Sequence, residues 1–546
     1  MVLPIGTFLA WISFSSLDII CQLFSYSQPS PEIVNTGYVR YIGTRFPQND
    51  FTIAFLGLQY AEPPLNEKRF RAPVSLNTTR VALEAQERDG LIDAREYPDF
   101  CIQGGRSGLP GGAGSEDCLK VNVYKSVNAT AKSALPVLVF FHGGGESHLP
   151  IIFRTTMRPL THQQSPNVVI VSVYYRLSSL GFLAHPELVG NLGDMNAGFL
   201  DQVEALRWVK RYIHAFGGDP DRVTIDGHSA GGSSIELHLV TGLDTGERLF
   251  TAAIAQSVYR VPVPTKEQQK ELFEFYSSHA GCIEGTIAGR MDCLRRADVS
   301  VLAHAQDLAD TPEFQGSYRV FKPVIDGTVV PDYPTRAIMQ GWFSKVPLLI
   351  GATSNETSIP ETGLEEGLRY LYPGLTDKDL EEFLEVYPSE EYDSPSQRFR
   401  AATGESVFIC ARTLMGHAFH DAGASTWLYR YNQPNPTLGS YVVAHSAESW
   451  MMFNGTNTGN NGTTSFSPLN DRERAFSEEL IAYWISFVRS HDPNTFKLKH
   501  SPIWPGRSKE QIVLQLDGDG SYVESEDVNE RKRCQFVYSK VEKEQN

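Results

Sequence analysis

The chain has 546 residues, of which 41% are hydrophobic and 21% charged, an ordinary globular composition that excludes disorder and fibrous repeats. Its formal net charge of −16 argues against nucleic acid as a partner, because phosphate binding needs a basic face. The same charge disfavours anionic membrane surfaces. It is either a solubility feature, the interpretation that we favour, or a weak preference for neutral or cationic substrates.

The N-terminal segment has the features of a secretory signal peptide. Its apolar stretch, residues 9–24, is too short and too interrupted by Asp18 to span a bilayer comfortably. Ser25 and Ser27 place small residues at the −3 and −1 positions of a cleavage site. We therefore predict a signal peptide at 1–27 and a secreted, extracellular mature chain at 28–546. A retained signal anchor is the alternative, because no Lys or Arg precedes the apolar run.

Sequons and cysteines both agree with export. We predict glycosylation at four exposed Asn-x-Ser/Thr sequons: Asn77, Asn128, Asn454 and Asn461. Six cysteines remain after residue 27, an even number that indicates three disulfides in an exported chain. Two pairs close short loops and leave a third, although six cysteines allow fifteen connectivities: Cys101 with Cys118, Cys282 with Cys293, and Cys410 with Cys534. No cysteine or histidine spacing is typical of zinc, so we expect no metal and no cofactor.

Strand-like and helix-like segments alternate along the chain. The apolar, β-branched runs 136–141 and 168–174 predict strands that are buried on both faces. Residues 201–216 carry apolar side chains three or four positions apart, which predicts an amphipathic helix. Further strands are predicted at 222–226 and 346–351. This alternation predicts an α/β fold, a large and mostly parallel sheet with helices on both faces.

Two insertions and one loop are also predicted. Residues 265–310 and 360–420 are charged and helical in pattern, and we expect them to cap the carboxyl edge of the sheet. Residues 454–467 are rich in Asn, Gly, Thr and Ser, which predicts a mobile surface loop. No segment divides the chain convincingly, so we predict a single domain over 28–546.

A nucleophile is predicted at Ser229. The sequence Gly227-His228-Ser229-Ala230-Gly231 has the Gly-x-Ser-x-Gly pattern of a nucleophile elbow, a strained turn between a strand and a helix. The pattern alone is weak evidence in a glycine-rich chain, and the bland interpretation is a turn with an idle serine. The predicted strand before Gly227 and the predicted helix after Ser229 favour the nucleophile.

An oxyanion hole is predicted beside it. The strand 136–141 leads directly into His142-Gly143-Gly144-Gly145, whose amides can donate to a developing oxyanion. We assign this role to the amides of Gly144, Gly145 and Ala230.

A base and an acid should follow the serine in the chain, the acid first. The acid candidate is Glu356, which follows the predicted strand 346–351, and Asp326 and Glu448 are rivals on pattern alone. Spacing cannot choose among the histidines that follow Ser229: His238, His279, His304, His417, His420, His445, His491 and His500.

Several long motifs, in a fixed order, resemble those of a known family, and this resemblance decides between the candidates for the acid and the base. They are residues 55–64 with Arg69-Phe70, 115–124, Tyr175-Arg176 with 181–183, 198–202 and 216–220. With these motifs the chain resembles the type-B carboxylesterase family, which includes cholinesterases and several fungal lipases, from about residue 37 to 536. It looks like a secreted, fungal-type member. The resemblance implies the α/β-hydrolase fold with helical cap insertions.

The resemblance also implies roles for individual residues. The family's acid falls on Glu356 and its base on His445. Its first two disulfides fall on Cys101–Cys118 and Cys282–Cys293, and a third, known in cholinesterase-like members, on Cys410–Cys534. His445 would remove the proton of Ser229, and an acyl-enzyme would form and then be hydrolysed. A sequon at Asn355 abuts the acid, and we predict that this asparagine is buried and unglycosylated.

The chain departs from the family pattern at three places, and each departure narrows the range of expected substrates. His228 stands where a glutamate is usual, which disfavours cationic choline esters; we expect its ring to point away from the serine hydroxyl. Glu146 stands where an aromatic residue is usual, and a carboxylate at the pocket mouth would disfavour anionic substrates. The loop 102–117 has no tryptophan and almost no apolar face, which disfavours both choline binding and a lipase lid.

We therefore predict a carboxylic ester hydrolase that acts on soluble or partly soluble small-molecule esters. The alternatives are a triacylglycerol lipase and a non-catalytic binding or adhesion protein on the same scaffold. The second alternative is disfavoured because Ser229, Glu356, His445 and the oxyanion glycines are all present. Neither nucleic acid nor stable membrane association is expected.

Overall fold

The computed structural model describes residues 32–46, 49–104, 114–144, 167–242, 246–283, 285–357, 359–453, 455–458, 464–506 and 509–546. Its strands are β1 (Glu32–Asn35), β2 (Arg40–Phe46), β3 (Asn49–Gln59), β4 (Leu91–Asp93), β5 (Lys120–Ser126), β6 (Leu135–Phe141), β7 (Val169–Val173), β8 (Gly218–His228), β9 (Ala252–Gln256), β10 (Leu348–Thr353), β11 (Thr426–Tyr431), β12 (Thr456–Thr458), β13 (Thr464–Phe466), β14 (Glu510–Leu514) and β15 (Tyr522–Ser525).

Thirteen strands of the described chain form one mixed sheet. Its order is β1-β2-β3-β5-β7-β6-β8-β9-β10-β11-β14-β15, with β4 beside β2. The centre, from β7 through β14, is parallel, and antiparallel strands lie at both ends. Strands β12 and β13 form a separate antiparallel pair, so the described part of the predicted mobile surface loop at 454–467 contains regular structure that the sequence did not indicate.

The described helices are α1 (Thr78–Gln86), α2 (Ser178–Phe182), α3 (Ala197–Tyr212), α4 (Ala230–Val240), α5 (Lys270–His279), α6 (Ile287–Arg296), α7 (Val299–Leu308), α8 (Pro334–Met339), α9 (Leu364–Leu371), α10 (Asp377–Val386), α11 (Pro395–Gly404), α12 (Cys410–Asp421), α13 (Ala447–Met452), α14 (Asp471–Ser490), α15 (Val528–Ser539) and α16 (Val541–Glu544). A π-helical turn at Glu405–Ile409 joins α11 to α12. Short 3₁₀ turns lie at Asn66–Lys68, Ile213–Phe216, Ser389–Glu391 and Pro436–Leu438.

Helices cover both faces of the sheet, which confirms the predicted α/β architecture. Val139 of β6 packs in one apolar cluster with Trp208 of α3, and Leu138 packs in another with Trp484 of α14. Successive strand residues point to opposite faces, and both faces are buried here. This is why the central strands are continuous apolar runs in the sequence.

The strand register brings the ends of four neighbouring strands to one edge. Phe141 of β6 lies opposite Gly227 of β8, and His228 lies opposite Gln256 of β9. Gln256 in turn lies opposite Gly351 of β10. The segments that follow β6, β8, β9 and β10 therefore emerge together at the carboxyl edge, where side chains for a site can converge.

Helices fill the two segments predicted as insertions. Helices α5 to α8 lie between β9 and β10, and α9 to α12 lie between β10 and β11. Among the described residues, none of the helices has both the length and the apolar character needed to cross a bilayer.

Three disulfides join described residues in the predicted pairing: Cys101–Cys118, Cys282–Cys293 and Cys410–Cys534. The first two close loops with sequence separations of 17 and 11 residues. The third joins the first residue of α12 to α15 across 124 residues.

The long-range disulfide should contribute most to stability. We expect Cys410→Ala with Cys534→Ala to lower the free energy of unfolding by about 4–5 kcal/mol, and Cys282→Ala with Cys293→Ala by about 3, because a longer closed loop restricts the unfolded chain more. Urea unfolding of both double variants under identical conditions measures the difference. An equal or larger loss from the short loop would contradict the prediction.

Candidate active site

Ser229 stands at a sharp turn between β8 and α4. Strand β8 ends at His228, α4 begins at Ala230, and Ser229 has a φ of 59°. A Cβ on Gly227 would lie 2.3 Å from the carbonyl oxygen of Gly231, and one on Gly231 would lie 2.2 Å from that of Phe141. No side chain fits at either glycine, which explains physically why the pattern needs both. Ser229 itself remains partly exposed.

Three side chains from distant parts of the chain meet at this turn. Nε2 of His445 lies 2.9 Å from Oγ of Ser229, and Nδ1 of His445 lies 2.6 Å from Oε2 of Glu356. Glu356 is fully buried, whereas the side chain of His445 is 21% exposed. The row runs from a buried carboxylate through an imidazole to a hydroxyl that solvent can reach.

Glu356 and His445 each shift the pKa of the other. Burial raises the pKa of Glu356, but the charge and hydrogen bond of His445 outweigh burial, and the pKa stays below its usual value. Burial lowers the pKa of His445, but the charge and hydrogen bond of Glu356 outweigh burial and raise it. The geometry thus favours a charged imidazole next to a charged carboxylate whenever His445 takes up a proton.

A backbone link ties the loop of Glu356 to the loop of His445. The amide of Asn355 donates to the carbonyl oxygen of Val443 at 3.2 Å, and Asn355 pairs with Ala444 as an isolated bridge. The side chain of Asn355 is exposed, so the prediction that this sequon is buried is wrong. Alternation along the extended segment explains the difference, since Glu356 points inward and its neighbour outward.

Asp326 and Glu448, the two alternative candidates for the acid, do not contact His445 as Glu356 does. Asp326 accepts hydrogen bonds from the amides of Thr328, Val329 and Val330, a local turn. Glu448 lies three residues after His445, in the first turn of α13. It is buried, and its Oε1 lies 3.4 Å from Oγ of Ser257.

Ser257, which the sequence analysis did not identify, connects the two glutamates. It follows β9, is fully buried with a φ of 47°, and its Oγ donates to Oε1 of Glu356 at 2.6 Å. The amide of Thr353 donates to the same carboxylate oxygen at 2.8 Å. The only sequence signal for Ser257 is its position directly after a central strand.

The glycine segment after β6 approaches the serine closely. A Cβ on Gly143 would lie 2.3 Å from the carbonyl oxygen of His228 and 3.0 Å from Cβ of Ser229. Gly144 has a φ of 121°, a backbone conformation that favours glycine. Ala230 is the first residue of α4, where an amide has no partner within the helix. Gly145 and Glu146 lie outside the described residues.

Two rings contact the imidazole of His445. The Phe408 ring centroid lies 4.4 Å from that of His445, and the His228 ring centroid lies 4.9 Å from it. Nε2 of His228 lies 3.7 Å from Oε1 of Glu448. The described residues include no group of three or more His, Cys, Asp or Glu placed to hold a metal.

Known proteins resemble the chain over most of its length. A model of the carboxylesterase family matches residues 30–537. Liver carboxylesterase 1 of Mus musculus is 28% identical, with 93% of each chain covered. The pyrethroid hydrolase Ces2e of Rattus norvegicus is 27% identical, with 94% of this chain and 92% of that protein covered. The crystal structure of Aspergillus niger EstA matches with a TM-score of 0.80 at 30% identity, over 94% of this chain and 99% of that one.

Proposed function

The chain belongs to the carboxylesterase family with the α/β-hydrolase fold, and we propose that it hydrolyses carboxylic esters with Ser229 as nucleophile, His445 as base and Glu356 as the carboxylate that orients the base. The observation that carries this proposal is the pair of contacts, 2.9 Å and 2.6 Å, that joins the three side chains in one row. Ser229 is partly exposed, which supports a role as a nucleophile that a substrate can reach.

The reaction follows from this geometry. His445 accepts the Ser229 proton at Nε2 as Oγ attacks the ester carbonyl, and it then returns the proton to the departing alcohol. Water then attacks the acyl-enzyme and gives its proton to the same nitrogen, which passes the proton to Oγ of Ser229 as the bond from the acyl carbon to Oγ breaks and the acid is released. Glu356 keeps the proton of His445 on Nδ1 and stabilises the imidazolium that forms in each step.

The negative charge that develops on the carbonyl oxygen of the ester during the reaction needs hydrogen-bond donors to stabilise it. We assign them to the amides of Gly144, Gly145 and Ala230, although Gly145 lies outside the described residues. The close approach of Gly143 to Ser229 supports this assignment, because it places the glycine segment against the nucleophile.

The substrate class is inferred from the sequence. The loop 102–117 has no tryptophan and almost no apolar face. This favours soluble or partly soluble esters as substrates over choline esters and over lipids in fat droplets. Residues 105–113 of this loop lie outside the described residues.

Turnover and covalent labelling test the proposal together. We expect hydrolysis of p-nitrophenyl acetate and butyrate, and inactivation by a fluorophosphonate that modifies one serine per chain. Peptide mass spectrometry should place the label on Ser229, because a fluorophosphonate reacts with a serine activated by a neighbouring base. Turnover with the label on another serine would contradict the assignment of the nucleophile, and absence of turnover would contradict the function.

We also propose that the chain is secreted as a single domain over 28–546 after removal of 1–27. The three disulfides support export, because such bonds form and persist in oxidising compartments. The signal segment itself lies outside the described residues.

Glycosylation gives a separate test of export. Asn77 and Asn128 are exposed, whereas Asn454 and Asn461 lie outside the described residues. Oδ1 of Asn77 caps α1 by accepting from the amide of Arg80, and a glycan on Nδ2 is compatible with this bond. For protein secreted from a eukaryotic host, we expect peptide N-glycosidase in heavy-oxygen water to convert Asn77 and Asn128 to labelled aspartate. Secreted protein with neither residue converted would contradict the prediction.

A further inference from the structure

His228 lies beside the reacting groups, and the proposed mechanism gives it no role. It is the last residue of β8, it is 6% exposed, and its ring contacts His445 with the centroids 4.9 Å apart. Its Nε2 has no hydrogen-bond partner among the described residues and faces Oε1 of Glu448 at 3.7 Å, slightly beyond hydrogen-bond distance. A shift of a few tenths of an ångström would let this buried nitrogen accept a proton from the buried carboxyl.

Glu448 is a second buried carboxyl in the same cluster. It is 1% exposed, and its Oε2 has no hydrogen-bond partner among the described residues. Oγ of Ser257 lies 2.6 Å from Glu356 and 3.4 Å from Glu448, so a single hydroxyl proton stands between two carboxyl groups. Two ionised carboxylates in this position would repel each other in a site closed to water.

Electrostatics therefore assigns different states to the two glutamates. Burial raises the pKa of Glu448, and the charge of Glu356 adds to this, to about 7. Burial lowers the pKa of His228, and repulsion by His445 adds to this, to about 3. Below about pH 7 Glu448 is thus mostly a carboxylic acid and faces a neutral imidazole, an arrangement in which the acid can donate.

Other titratable groups around His445 do not change this assignment. Tyr429 of β11 lies with its hydroxyl 3.5 Å from Oε1 of Glu448, and burial raises the pKa of Tyr429 well above its usual value. Asp226 of β8 accepts from Nε2 of Gln256 at 2.9 Å, and burial raises the pKa of Asp226 to about 7. Glu356 is the carboxylate in direct contact with the ring of His445, and its charge and hydrogen bond raise the pKa of His445 more than the charge of Glu448 does.

We propose that His228 is a positioning residue for the reaction: it supports the His445 ring and offers Glu448 a neutral acceptor, so that Glu356 alone acts on His445 as a carboxylate. The inference rests on the proposed function of Ser229, Glu356 and His445. Position 228 thereby sets how much negative charge faces the base.

The pH dependence of kcat/KM for p-nitrophenyl acetate tests this, because its acid limb reports the pKa of the base in the free enzyme. We expect Glu448→Gln to move the acid limb by less than about 0.3 pH unit, since below about pH 7 the amide replaces a carboxyl that is mostly uncharged. A downward shift of about one pH unit would overturn the inference, because it would mean that Glu448 had been a carboxylate stabilising the imidazolium.

Two substitutions of His228 distinguish a role as hydrogen-bond acceptor next to His445 from a general effect on the structure. We expect His228→Leu, which removes the acceptor, to lower kcat about 10-fold with little change in KM, because small displacements of a base slow the reaction strongly. His228→Gln, which restores an acceptor, should recover most of kcat. Equal rates for the two variants would overturn the role as acceptor.

Active-site titration with the fluorophosphonate corrects the rates for the yield of folded protein. It also distinguishes failure of the proposed function from failure of the role of His228. Rates are expressed per labelled site, so that unfolded protein does not count. Absence of label on Ser229 in the wild type would refute the proposed function itself. Normal labelling together with a shifted limb in Glu448→Gln would refute the role of His228 alone.

Discussion

Replacing Ser229 by alanine is expected to lower kcat for p-nitrophenyl acetate by about 10⁵- to 10⁶-fold, because the nucleophile and its base act as one unit. Removing Oγ leaves His445 without the proton that it accepts at 2.9 Å. The acyl-enzyme then has no oxygen on which to form. Steady-state rates of the purified variant measure the loss.

A matched control separates this effect from damage to the fold. Ser539→Ala alters an exposed serine at the end of α15, whose Oγ donates to a backbone carbonyl of the same helix, and it should keep wild-type kcat. Some catalysis over water should remain in Ser229→Ala, by a factor of about 10³ to 10⁴, from the oxyanion donors and substrate binding. A Ser229→Ala enzyme within tenfold of wild type would rule out the assigned nucleophile.

Replacing Glu356 by glutamine is expected to lower kcat by about 10⁴-fold without loss of the fold. The carboxylate accepts from Nδ1 of His445 at 2.6 Å, which leaves Nε2 free of a proton and able to act as a base. A glutamine amide can donate to Nδ1 instead and so favour the opposite tautomer. It also removes the charge that raises the pKa of His445 and stabilises the imidazolium.

The rate of fluorophosphonate labelling should fall together with kcat in Glu356→Gln, since both depend on the basicity of Nε2. Glu361→Gln is the matched control, because Glu361 is an exposed glutamate five residues further along the same loop. It should label and turn over as wild type does. A Glu356→Gln enzyme that keeps more than a tenth of wild-type kcat would exclude the assigned role.

The local part of the site could be predicted from the sequence. A strand, a Gly-x-Ser-x-Gly turn and a helix are adjacent in the chain, and the close contact of Gly227 with Gly231 at this turn is local in sequence, although Gly231 also packs against Phe141 of β6. The same holds for the sheet, because strands buried on both faces leave continuous apolar runs. The family resemblance supplied the choice of Glu356 and His445, which spacing had left open.

The contacts of Ser257, Glu448 and His228 could not be predicted in this way. These residues lie in separate elements and meet only because β8, β9 and β10 end at the same edge in a fixed register. Nothing in the pattern around Ser257 indicates a donor to Glu356. The exposure of Asn355 was mispredicted for a related reason, since adjacent residues of an extended segment face opposite ways.

The bond between Asn355 and Val443 has a consequence for how the enzyme can diversify. It joins the two ends of a segment of almost ninety residues, and so holds the loop of Glu356 next to the loop of His445 independently of helices α9 to α11. That segment also supplies Phe408 to one wall beside the base. Sequence changes confined to helices α9 to α11, with strand β11 and the Cys410–Cys534 bond kept, could therefore reshape the surroundings of the site for new esters while Glu356 and His445 stay in contact.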